Sequence, residues 1–336
     1  MVKDNDGKAA RRAKIRQASV ALGFCCFLVF VYEIIQKFDS KRLNVAKRIR
    51  ETSSSSDVNP ADLQTNVSEE VSLILSAKVH LVDLMFSHRG LGSDVNSYSG
   101  VYGIFCKLDW AKHKNNPSSY PMFRDLKEAS PECRHKIQYD LNTLVKLARG
   151  YDRRLNSVVA NETTPHVMEP KGFVFHESRC GSTLAANALA VTNPESTRVY
   201  SESGPPILAL QSCGLHMNGA KSMCSIDQAA LLFRDVIYMM GRTDNRMETN
   251  LFFKIQSIGT KTIDVFQKAF PTTPWIFVYR DPVHVMMSQL AYGSQNANCI
   301  HQLSDIPDYK LKYLDSMGRD VRSLTPEEKC ALHLVR

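Results

Sequence analysis

No segment of the 336-residue chain repeats another, which excludes solenoids, propellers and other architectures made by stacking one unit. Apolar residues are not scarce: at 43% they exclude a disordered chain and suffice for at least one full domain with room for a second piece. Only one stretch is long and apolar enough to cross a bilayer, so a polytopic membrane protein is excluded too. That stretch is Ala18 to Ile35 (ASVALGFCCFLVFVYEII), with Glu33 its only charge. No small-residue cleavage site follows it, which favours a signal anchor over a removed signal peptide. Charge asymmetry is missing as well. Lys8, Arg11, Arg12, Lys14 and Arg16 before the run are matched after it by Lys37, Lys41, Arg42, Lys47, Arg48 and Arg50. The positive-inside rule therefore assigns no orientation. The formal charge of +8 suits anionic partners without distinguishing nucleic acid, membrane surface and phosphorylated small molecules.

Orientation comes from other features. Asn66 (NVS) and Asn161 (NET) head glycosylation sequons, both after the apolar run, and such sites are used only on the lumenal side. Cysteine usage points the same way. Cys25 and Cys26 lie in the run; with Cys180 set aside as a loop residue, the rest fall into local pairs, Cys106 with Cys133, Cys213 with Cys224 and Cys299 with Cys330. Six cysteines permit many connectivities, and a cytosolic protein with free thiols stays open as the alternative. The expected layout is a cytoplasmic tail (1–17), a transmembrane helix (18–35), a Ser-rich stem (36–70), an α-rich subdomain (71–165) and an α/β domain (166–336). Helical spacing in VSLILSAKVHLVDLMF and RHKIQYDLNTLVKLARGY predicts that the subdomain is α-rich.

After Pro170 short β-rich runs alternate with helix-period segments: GFVFHE with STLAANALAV, RVYSE with IDQAALLFRDVIYMMG, NLFFKIQ with TIDVFQKAF, and PWIFVYRD with VHVMMSQLA. Strands that each lead into a helix predict right-handed crossovers and a parallel sheet covered by helices. Ligands of such sheets sit at the carboxyl ends of the strands.

The first of these turns, HESRCGST, is built for an anion. A helix start preceded by a small-residue turn presents unpaired amides and the positive end of the helix dipole. Arg179 and the hydroxyls of Ser182 and Thr183 add donors. The Walker A pattern does not fit, because Phe175 occupies its first Gly position and Ser182 its Lys position, which disfavours kinase chemistry. A second stretch, WIFVYRDPVHVMMSQL, ends a strand in Arg280, Asp281 and Pro282, with Ser288 eight residues after Arg280.

With these two motifs in this order the chain resembles the sulfotransferase superfamily, from about residue 170 to 292, and its span and stem look like those of Golgi-type members. The resemblance implies a P-loop-like α/β fold and 3′-phosphoadenosine 5′-phosphosulfate (PAPS) as sulfuryl donor, with no metal required and no nucleic acid as partner. It implies a single-pass type II Golgi membrane protein with the catalytic domain lumenal, acting on a hydroxyl-bearing acceptor. Carried over by position, Arg179, Cys180, Gly181, Ser182 and Thr183 would hold the 5′-phosphosulfate, and Arg280 and Ser288 the 3′-phosphate. Arg179 stands where the family usually has Lys; an Arg keeps the charge and can bind bidentately, but it is not a compact ammonium.

The acceptor's proton needs a base. Cytosolic members have a His in a K-T-H pattern, whereas here the matching residues are Lys254, Ile255 and Gln256. Glu202, in the loop after the second strand, is the expected base, with Lys254 stabilising the transferring group and Arg179 the leaving group. His176 and Glu177 flank the loop as alternatives. The family's basic, Gly-containing closing segment is not found in the tail, so either the lid takes another form or the chain is incomplete. A membrane-anchored binding protein that keeps the fold without the chemistry is the second class of function consistent with these residues.

Overall fold

The computed structural model describes residues 68–87, 91–94, 96–157, 164–214, 223–291, 298–301, 306 and 308–334. The expected tail, membrane helix and sequons, and nearly all of the stem, lie outside the described residues. Among the described residues no helix is long and apolar enough to cross a membrane.

Ser68 caps helix α1 (Glu69–Leu75), accepting from the Val71 amide, with Glu69 and Glu70 in the first turn, where the dipole favours acids. The helix stops in a Schellman motif: Lys78 N–H returns to Leu73 O and Ala77 N–H to Ile74 O, with Ala77 left-handed at φ 57°. The chain then extends into a strand. β1 (His80–Phe86), β2 (Val101–Cys106) and β3 (Ile137–Asp140) make an antiparallel sheet in that order. Between β2 and β3 lie α2 (Trp110–Asn115) and α3 (Phe123–Ala129). Helix α4 (Leu141–Ser157) buries Leu141, Leu144, Val145 and Ala148, the spacing of one helical face.

The region 71–165 thus holds more helix than strand, as expected, but HLVDLMF, expected to be helical, is strand β1 of a three-stranded sheet. HLVDLMF satisfies a helical and an extended period alike, and pairing with β2 decides between them. Nor does this region form a core of its own: Leu81, Val82 and Phe105 belong to the same buried cluster as Phe173, Phe233 and Phe253.

A two-residue antiparallel pair joins β4 (His166–Val167) to β7 (Arg242–Thr243). The expected β/α alternation then appears in full. β5 (Pro170–His176) leads to α5 (Ser182–Thr192), and β6 (Thr197–Ser201) to α6 (Gly204–Leu210) and α7 (Ile226–Gly241). β8 (Asn250–Lys254) leads to α8 (Ile263–Ala269), and β9 (Trp275–Val278) to α9 (Pro282–Leu290). The sheet order is β6-β8-β5-β9, parallel throughout. Alternate residues face opposite layers. Tyr200, Phe253 and Phe173 stack across neighbouring strands, with ring centroids 5.2 and 5.4 Å apart, and pack toward α7 and α8 through Phe233 and Phe266. Val199 and Phe252 face the other way, onto Ala186 and Ala190 of α5.

All three local cysteine pairs are disulfides, Cys106–Cys133, Cys213–Cys224 and Cys299–Cys330, and Cys180 is free. The third ties α10 (Asn298–His301) to α12 (Pro326–Leu334), while α11 (Asp308–Ser316) lies between them in sequence. Chain order and spatial order diverge at β5: the chain passes to β6 and β8 on one side of it, then to β9 on the other. Ligands of such sheets sit at this point, at the carboxyl ends of the strands.

Candidate functional site

The turn after β5 lies at that point of the sheet. Its backbone is held in the left-handed region at two places, Arg179 (φ 62°) and Gly181 (φ 96°). Gly181 costs nothing there. A Cβ added to it would meet no atom within 4 Å, so φ rather than crowding requires glycine, and the space over the turn is open. Arg179 has no such freedom, and its strained backbone is typical of a residue positioned for a task. The first helical bonds of α5 run from the Leu184 and Ala185 amides to Gly181 O, so the Ser182 and Thr183 amides precede them.

Two side chains of α9 reach back to this turn. Arg179 Nε donates to Ser288 Oγ at 3.1 Å, and Gln289 Nε2 donates to Ser178 Oγ at 3.1 Å. The motifs singled out in sequence, about 100 residues apart, are therefore in contact. The contact is not the expected one, since Ser288 is held by Arg179 and not by Arg280. Arg280 is exposed at the end of the adjacent strand, with no hydrogen bond or ion pair among the described residues. Asp281 does not neutralise it either: Asp281 Oδ1 caps α9, accepting from the Val283 amide at 2.9 Å and the His284 amide at 3.2 Å. Both guanidinium groups thus belong to turns at the same end of the sheet, on neighbouring strands.

Beneath the turn lies a buried charged cluster. Glu202, left-handed at φ 54°, ends β6; its amide donates to Lys254 O at 2.8 Å, and its carbonyl accepts from Gln256 Nε2 at 3.2 Å. Gln256, in the position where cytosolic sulfotransferases have their His, thus fixes the Glu202 backbone. Glu202 Oε1 pairs with Lys254 Nζ and lies 3.3 Å from His176 Nε2. Lys254 Nζ also reaches Thr183 Oγ1 at 3.5 Å, so it stands behind the anion turn. His176 Nδ1 meets Glu177 O at 2.8 Å, and Cys180 Sγ donates to that carbonyl at 2.9 Å.

His176 Nδ1 meets a carbonyl, while Nε2 lies near the Glu202 carboxylate without making a hydrogen bond to it. Burial, the largest influence, would lower the His176 pKa. The contacts with Cys180 and Glu202 outweigh burial and raise it to about 8. For Glu202 burial acts upward, but His176 and the Lys254 ammonium hold it down at about 2. The Cys180 thiol is lowered, since His176 and the Ser182 amide overcome its burial. The cluster thus sets His176 and Lys254 against the Glu202 carboxylate beneath the turn.

Such linkage sets a pH window. His176 has a folded pKa above its ordinary 6.5, so its stabilisation is complete below that value and fades as pH rises through about 8. Glu202 has a folded pKa below its ordinary 4.5, so its stabilisation is complete above that value and fades as pH falls through about 2. Thermal unfolding followed by calorimetry is expected to show the cluster's contribution falling on the alkaline side between these His176 values. His176→Gln should flatten that limb; an unchanged limb would remove His176 from the cluster's electrostatics.

Of the residues singled out in sequence, Arg179, Cys180, Gly181, Ser182, Thr183, Glu202, Lys254 and Ser288 are brought together, and Arg280 sits at the neighbouring strand end. His176, first set beside Glu202 as an alternative base, is instead its partner. Gln289 and Met122 were not anticipated, and Gln256, read in sequence only as standing in place of the His, holds the Glu202 backbone; the Met122 Sδ lies 4.0 Å from Lys254 Nζ. Gln289 had a sequence signal, its place beside Ser288, and Met122 had none. No metal-binding group of His, Cys, Asp and Glu occurs among the described residues. No protein-family model, curated protein or solved structure matches the chain.

Proposed function

We propose that the protein is a sulfotransferase of P-loop-like fold that moves a sulfuryl group from PAPS to a hydroxyl of an acceptor, carbohydrate being one candidate class. In the same reading it is a Golgi membrane protein, single-pass and type II, with the site lumenal. The observation that supports it best is the Arg179–Ser288 contact, which joins the two anion-binding motifs at one end of the sheet. The turn amides, Arg179 and Thr183 bind the 5′-phosphosulfate, and Arg280 with Ser288 takes the 3′-phosphate once Arg179 turns to the donor. In the transfer the acceptor oxygen bonds to sulfur in line with the breaking bond to the 5′-phosphate, PAP leaves, and a base accepts the hydroxyl proton. Glu202 is that base in this reading, and Lys254, behind Thr183, stabilises charge on the transferring group.

A second reading, a membrane-anchored protein that binds the nucleotide without turning it over, is favoured by one observation. A carboxylate held at about pKa 2 by two cations is a weak base until the acceptor displaces one of them. Calorimetric titration of the full chain with PAP and with ATP tests both readings. PAP is expected to bind without added magnesium, and more tightly than ATP. Magnesium-dependent ATP binding with none for PAP would replace the proposal by a kinase-like one, and PAP binding without sulfation of any hydroxyl would select the second reading.

A further inference from the structure

A cavity of about 860 Å³ opens away from the anion turn. It is bordered by Arg198, near the start of β6, and Glu248, which precedes β8. Glu202 is four residues beyond Arg198, on the order of 13 Å along an extended chain. The cavity therefore lies at the amino ends of the strands, and the candidate catalytic cluster at their carboxyl ends.

Its floor is a buried ionic network. Arg198, 2% exposed, pairs with Glu248, which also takes Lys114 Nζ at 2.8 Å and the Thr243 hydroxyl at 2.7 Å. The Arg198 guanidinium lies over the Trp110 ring, 4.9 Å from its centroid. His80 is neutral, because burial and then Arg198 push it down to about 3. Within this network two donors are left over: Trp110 Nε1–H and Arg198 Nε–H are buried with no acceptor among the described residues. Both atoms are shut off from solvent, so they lie behind the cavity wall and are out of reach of a molecule in the cavity.

The exposed lining narrows what the cavity could take. Leu73, Val79, Leu108 and Ile137 supply apolar wall. Asn115 and Lys78 offer donors, and Glu195 and Asp244 offer acceptors. Opposite charges balance: Lys107 pairs with Glu132 at 2.7 Å, and Lys114 and Arg198 share Glu248, which leaves Lys78 against Glu195 and Asp244. A site of balanced charge with both donors and acceptors suits hydroxyl groups, each of which donates and accepts, on a framework with apolar C–H faces.

We propose that this cavity is a second ligand site, which takes an uncharged polyhydroxylated molecule of carbohydrate type. It stands independently of the nucleotide site. The chain has two tryptophans, so Trp275→Phe leaves Trp110 as the sole emitter at the cavity. The full chain with that change, in buffer free of glycoside detergent, is titrated with glucose, galactose, lactose and maltose, and separately with glucuronate. A saturable change in Trp110 emission is expected with at least one neutral sugar and not with glucuronate. Filling the cavity from the exposed side of α2, by Ala111→Phe or by Asn115→Leu, should weaken that binding at least tenfold with the unfolding temperature unchanged. No saturable response to any neutral sugar would overturn the proposal. Tighter binding of glucuronate would overturn the uncharged class, and full affinity in both filled variants would remove the cavity as the site.

Discussion

Glu202→Gln is expected to destabilise the fold by about 3 kcal/mol, because it leaves the Lys254 ammonium buried without its counter-ion. Lys254 is 1% exposed, and its ion-pair partner is Glu202. Removing the anion also brings two cations, Lys254 and His176, face to face. Lys254→Met should cost less, since Glu202 keeps 27% exposure and the His176 contact and can draw water to its freed oxygen. The double variant is expected to return to within about 1 kcal/mol of the parent, as a buried ion pair replaced as a unit often is. Urea denaturation of the four proteins gives the coupling directly. Additive losses would show that the pair is not energetically joined, and the charged cluster would then explain nothing about Glu202. The same variants bear on chemistry. Glu202→Gln should retain PAP, because the positive charge under the turn grows, and should lose turnover if Glu202 takes the acceptor's proton.

Arg179→Ala is expected to weaken PAP by about 10- to 100-fold, the value of charge-assisted hydrogen bonds to a phosphate oxygen. Its contact with Ser288 predicts more than a local loss. Freed of Arg179, Ser288 can turn to Arg280, so the 3′-phosphate pocket should survive. Titration with PAP and with adenosine 5′-monophosphate separates the two cations. Arg179→Ala should weaken both ligands alike, whereas Arg280→Ala should weaken PAP and leave the monophosphate unchanged. Equal effects of the two variants on both ligands would dissolve the assignment of opposite phosphates to opposite turns. Arg179→Lys should recover part of the affinity, less than the whole, since an ammonium makes no bidentate contact.

Much of this was legible along the chain. The alternation of FVF, VYS and LFF runs with helix-period segments specified a helix-flanked parallel sheet, since strands buried on both faces must be apolar throughout. Small residues around Gly181 marked the anion turn, because a left-handed position before a helix admits little else. Of the connectivities left open in sequence, the three sequence-local pairs are the ones that form, as short loops close readily. In each case the determinant lies within a few residues of what it determines.

Long-range pairing was out of reach. Whether HLVDLMF becomes a strand depends on β2, and whether the first half of the described chain keeps a separate core depends on what Leu81 and Phe105 meet. The strand order that sets β9 beside β5, and so Ser288 against Arg179, is a property of the sheet. So is the meeting of His176, Glu202 and Lys254 at the ends of three strands, which makes a loop carboxylate the half-buried counter-ion of Lys254. Charge interactions depend on distance and burial, and the fold alone supplies both.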